Sequence, residues 1–111
     1  MATSYKTIAQ AHLTTTSDTD ILTVAASKEI IVSTLIVANI TSSATTFNIA
    51  IRKAGATLAN AMYIAKEVAI AANDSTTLTL GIALEATDRV TCTAGAGNAL
   101  SFNLFGAEID V

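Results

Sequence analysis

Alternation of apolar and polar residues at a period of two is the feature that most narrows what this chain can fold into. In Thr46-Phe47-Asn48-Ile49-Ala50-Ile51-Arg52 the odd positions form an apolar face and the even positions a largely polar one. In Thr77-Leu78-Thr79-Leu80-Gly81-Ile82 the even positions are expected to point inward, and Leu100-Ser101-Phe102-Asn103-Leu104 repeats the pattern. Successive strand side chains point to opposite faces, so this period fits half-buried strands and not helices. No proline interrupts the chain, and many of its 18 threonines sit between β-branched residues, a setting that favours pleated structure.

Eight strands are predicted: Tyr5–Ala11, Ile21–Ala25, Glu29–Ile40, Ala44–Lys53, Met62–Ile70, Thr76–Ile82, Arg89–Thr93 and Leu100–Phe105. Turn formers separate them at Thr16-Ser17-Asp18, Thr41-Ser42-Ser43, Ala54-Gly55-Ala56, Ala72-Asn73-Asp74-Ser75 and Ala94-Gly95-Ala96-Gly97-Asn98. The last of these reads as a hairpin loop. Strands at such spacing with short turns imply an antiparallel sandwich or barrel. Ala59 to Ala72 has helix propensity as well, but Met62, Ile64, Val68 and Ile70 keep a period of two, broken by Lys66. We read it as a strand.

Ile30–Ile40 is the expected central strand, apolar on both sides: Ile30, Val32, Ile36, Ala38 and Ile40 on one, Ile31, Leu35 and Val37 on the other. At 111 residues there is room for one domain and one core. Only 14% of residues are charged and 51% are hydrophobic, against about 25% charged in an average domain, so disorder is excluded. A net charge of −3 argues against nucleic-acid binding, which needs clustered Lys and Arg. The longest uncharged stretch, Ile30 to Ile51, carries too many Asn, Ser and Thr residues to span a membrane, and Met1 to Leu13 lacks the apolar run of a signal peptide. A soluble protein is expected.

Little chemistry is visible. Cys92 shares the Val90 face and reads as a small buried hydrophobe, and one cysteine cannot build a disulfide framework. His12 would need an orienting carboxylate, with Asp18 or Asp20 the candidates through the turn; it reads as a surface or interface histidine. Asp18-Thr19-Asp20 lacks the remainder of a calcium loop and reads as solvated turn acids. Asn73-Asp74-Ser75 reads as turn chemistry of the Asx kind. Phe47 and Phe102 lie on apolar faces and are assigned to the core, leaving Tyr5, Tyr63 and Phe105 as contact candidates. No enzyme, cofactor or metal site is expected.

The run Tyr5-Lys6-Thr7-Ile8-Ala9-Gln10, then Ile31-Val32-Ser33-Thr34-Leu35-Ile36-Val37-Ala38-Asn39, then Ala44-Thr45-Thr46-Phe47-Asn48-Ile49-Ala50-Ile51-Arg52 resembles small structural proteins of tailed bacteriophages, often those of aquatic bacteria including cyanobacteria. So do Ala69 to Ile82 and the closing Leu100-Ser101-Phe102-Asn103-Leu104-Phe105-Gly106-Ala107-Glu108-Ile109. The similarity covers nearly the whole chain in segment order, and its motifs are strand-and-turn patterns. It implies an all-β, jelly-roll-like antiparallel sandwich of about eight strands in a virion, made in the cytoplasm of a host bacterium. The expected role is capsid decoration or cement, binding and stabilising the shell of major capsid protein, as a homo-oligomer with a trimer favoured. Tail, baseplate or fibre-associated accessory placement is the alternative, and host-glycan binding a third. Tyr5, Lys6, Ile8, His12, Tyr63 and Phe105 are the candidate interface residues. Residues 1–16 are expected to form either an attachment arm or the first strand of the sandwich at 17–111.

Overall fold

A computed structural model describes residues 2–111; Met1, the first residue of the expected arm, and the side chain of Leu80, expected to point inward, lie outside the described residues. All eight strands form: β1 (Thr3–His12), β2 (Thr19–Thr23), β3 (Lys28–Asn39), β4 (Thr45–Arg52), β5 (Tyr63–Ile70), β6 (Ser75–Leu84), β7 (Arg89–Ala94) and β8 (Leu100–Asp110). Two single-turn 3-10 segments, Lys53–Gly55 and Asn60–Met62, lie between β4 and β5. No helix among the described residues is long and apolar enough to cross a membrane.

The strands make two antiparallel four-stranded sheets, β1-β8-β3-β6 and β2-β7-β4-β5. The pairs β1 with β8, β2 with β7, β3 with β6 and β4 with β5 are all antiparallel. A chain folded once into a long hairpin about β4–β5 and then rolled gives this order, which is the eight-stranded jelly roll. Every other connection crosses between sheets. The Gly-rich segment after Ala94 is therefore a crossover from β7 to β8 and not the expected hairpin loop. Gly97 passes so close beneath residue 14 that a Cβ would sit 2.7 Å from the Thr14 carbonyl oxygen.

The inner faces bury Val32, Leu35, Val37, Leu100, Phe102 and Leu104 from one sheet against Phe47, Ile49, Val90 and Cys92 from the other. Phe47 and Phe102 are core residues, as their alternation predicted. Burial pushes the Cys92 thiol far above its ordinary range, so it packs as an apolar group. One buried polar side chain, Asn39, is fully satisfied: Nδ2 donates to the carbonyls of Ser43 and Ala71, and Oδ1 accepts from the Thr41 amide and hydroxyl.

The central strand departs from expectation. Its register against β8 shifts between Val32 and Thr34, so Ser33 is an extra residue. Ile30 and Val32 point into the core on one side of the bulge, and Leu35 and Val37 do so on the other. Ile30 and Val32 thus share one buried face with Leu35 and Val37, covered by the other sheet, while Ile31, Ile36 and Ala38 look outward. β1 carries its own extra residue, Ile8, at the same level of the sheet. Residues 3–12 belong to the protein's own sheet as its edge strand. Only Ile8, Ala9 and Ala11 of that strand pack against the core, while Thr3 to Thr7 are exposed.

Candidate interaction surface

Directly opposed residues in a sheet share a face. On the outer face of the β1-β8-β3-β6 sheet the register therefore lines up Tyr5, Ala107, Ile31 and Ala83, one from each strand. This row is apolar across all four strands. Tyr5 is 85% exposed and Ile31 37%, with Ala107 buried between them. The adjacent row holds Phe105, half-buried, between Thr7 and Thr34. Further along, the same face becomes polar: Gln10 Nε2 donates to Asn103 Oδ1 at 2.7 Å, and His12 Nδ1 lies 3.3 Å from Ser101 Oγ. The apolar end exists because the bulges at Ile8 and Ser33 change which residues look outward.

The opposite sheet carries a charged hub. Asp20 Oδ1 accepts from Arg52 Nη1 at 2.9 Å and from Thr91 Oγ1 at 2.6 Å, and Oδ2 accepts from Arg89 Nη1 at 2.9 Å. Arg52 also donates to the Gly55 and Ala56 carbonyls, holding the turn that follows β4. Ala50 and Thr91, paired on the outer face beside this hub, are buried. Thr93 donates to Asp18. Asp18 and Asp20 are exposed, as expected of solvated acids, and both carboxylates are in addition hydrogen-bonded to side chains of neighbouring strands. A second latch forms where the buried Asp88 accepts from the Ala54 and Glu85 amides and pairs with Lys53.

Burial pushes the Asp20 carboxyl up, but the hydrogen bonds from Thr91, Arg89 and Arg52 outweigh it and hold the group below its ordinary value. A carboxyl depressed in the folded state contributes stability that is present above its unfolded value of about 4 and is lost as pH falls through the folded one. Wild type should therefore lose this contribution only below about pH 4. Asp20→Asn should cost about 1–2 kcal/mol at neutral pH, read by urea denaturation, and the difference from wild type should shrink in acid. An equal difference at pH 7 and pH 3 would contradict this role.

No protein-family model, curated protein or solved structure matches this chain.

The structure gathers some of the sequence-selected residues and separates others. Tyr5 and Phe105 meet on neighbouring rows of one face. His12 shares that face but lies at its polar end. Lys6 points to the other side of the same strand, where Nζ is 3.0 Å from Glu108 Oε1. Ile8 is the bulge residue and packs against the core. Tyr63 lies on the other sheet, with Lys66 Nζ 4.4 Å from its ring centroid. Asp18 and Asp20 sit in the hub and make no hydrogen bond to His12. Ile31, Ala83 and Ala107 were not selected from the sequence, because their outward position depends on the bulges. Among the described residues no group of three His, Cys, Asp or Glu side chains is placed to hold a metal ion.

Proposed function

We propose that this protein is a structural component of a tailed-phage virion, a decoration protein that docks on the major capsid protein through the apolar end of its β1-β8-β3-β6 sheet. The resemblance of nearly the whole chain to phage structural proteins supplies the class. The observation that carries the docking surface is the Tyr5-Ala107-Ile31-Ala83 row, with Phe105 beside it. An exposed aromatic and a β-branched residue flanking a buried alanine have the composition of an interface centre. The remainder suits a building block. The hub and the latch pin the loops of the other sheet, and the low charge leaves apolar contact as the main source of affinity.

Stoichiometry in purified particles tests the assignment. A fixed proportion to the major capsid protein is expected. A small fixed number of copies per particle would place the protein on the tail, baseplate or fibre instead, and absence from particles would overturn the reading. Ile31→Lys and Tyr5→Ala should each weaken binding to particles stripped of the protein by about tenfold or more, with the melting temperature nearly unchanged. Undiminished binding by both variants would remove this face from the contact.

A further inference from the structure

We propose that the open edge of β6 pairs with the β6 edge of a second copy of this chain, antiparallel across a two-fold axis at Thr77. The inference stands independently of the virion assignment.

The sandwich has four edge strands, β1 and β6 on one sheet and β2 and β5 on the other. An edge presents unpaired backbone N–H and C=O groups, and proteins blunt such edges with charge, bulges or short length. All four carry a register break, on β6 at Leu80–Gly81, but charge blunts only three of them. β1 carries Lys6 and the Ile8 bulge. β2 is five residues long, holds Asp20 and is bulged at Ile21. β5 carries Lys66 and Glu67, breaks register with β4 twice, and holds Glu67 at φ 51°.

β6 has none of the charge. It runs ten residues, Ser-Thr-Thr-Leu-Thr-Leu-Gly-Ile-Ala-Leu, without a charged residue or a proline. Among the described residues β3 is the only strand it hydrogen-bonds, and its register there is unbroken from Ser75 to Thr79. Ser75, Thr77 and Thr79 are exposed, and Leu78 packs against the core.

Charge selects the occupant. Across a two-fold axis each residue meets its own symmetry mate or a near neighbour of it, so any charge on the edge is set against like charge. Pairing β1, β2 or β5 with itself would bring Lys6, Asp20 or Lys66 towards its own copy. β6 alone is compatible with itself. With Thr77 on the axis, Thr76 faces Leu78 of the second copy on the inner side, and Ser75 faces Thr79 on the outer side. Thr–Thr and Thr–Ser pairs are favourable in this position. The product is a continuous eight-stranded sheet that carries both apolar rows on the same side.

Sedimentation of the intact protein across the micromolar range is the test. A monomer–dimer equilibrium is expected for wild type. Thr77→Lys and Thr77→Glu should each raise the dissociation constant about fivefold, and an equimolar mixture of the two should recover wild-type association. Circular dichroism checks that each variant is folded, with Thr79→Lys, opposite Ser75 of the mate, as the substitute for a variant that is not. A wild-type protein that stays monomeric would overturn the proposal. So would an oligomer that both charged variants leave intact, or a mixture that fails to recover.

Discussion

Phe102→Ala is expected to lower the melting temperature by more than about 10 °C, the result of about 3–5 kcal/mol of lost burial and residual cavity. Phe102 is fully buried on β8, between Ala11 of β1 and Val37 of β3. The small Ala11 on one side offers little side chain to fill the space left behind. Phe47 occupies the matching position on the other sheet, between Val68 and Ala94, and Phe47→Ala should cost a similar amount. Phe102→Leu keeps most of the volume and should cost less than about 1.5 kcal/mol. Thermal unfolding followed by circular dichroism separates these cases. An alanine variant melting within about two degrees of wild type would contradict the inner-face assignment of that strand.

Strand existence was legible because a period of two survives in the sequence wherever one face is wet. The segment Met62–Ile70 was read correctly as a strand despite its alanines, and it proves to be an edge strand with Ile64 and Val68 left partly exposed. The end of β8 was not legible. The strand continues to Asp110, whereas Gly106 and Ala107 end the simple alternation at Phe105. Turn chemistry likewise says that the chain turns after Ala94 but not which sheet it joins, so a crossover read as a hairpin. The interaction surface was half legible. Tyr5 and Phe105 drew notice as aromatics outside the core pattern, but Ile31 became an outward residue only through Ser33. The hub was hidden for another reason. Asp20 draws its partners from Arg52 and Arg89, which come together only through the jelly-roll order.

Gly106→Ala is expected to destabilise the protein by about 3 kcal/mol or more, the upper end of what overpacking costs. A Cβ at this position would lie 1.9 Å from the Ile31 carbonyl oxygen, 2.9 Å from its carbon and 3.1 Å from the Ser33 amide nitrogen. All three are backbone atoms of the bulge, so no flexible side chain can give way. Replacing glycine by alanine in a tolerant position gains about 0.4–1 kcal/mol from the unfolded chain, too little to offset a clash of this kind. Relief requires β3 to move off β8, which breaks the 3.1 Å hydrogen bond from the Ser33 hydroxyl to the Phe105 carbonyl and re-aims Ile31. If the apolar row docks on particles as proposed, the variant should lose that binding at temperatures where it is still folded, whereas Phe102→Leu should keep it. Deleting Ser33 from the Gly106→Ala protein should restore part of the lost stability: Val32 and Thr34 become consecutive opposite Gly106 and Phe105, the strand alternates without a bulge, and Ile30, Val32, Leu35 and Val37 all stay on the inner face. If Gly106→Ala melts as wild type does, the close approach of β3 to β8 is not a constraint on the fold. If the Ser33 deletion leaves the loss in full, the clash at Gly106 does not arise from the bulge.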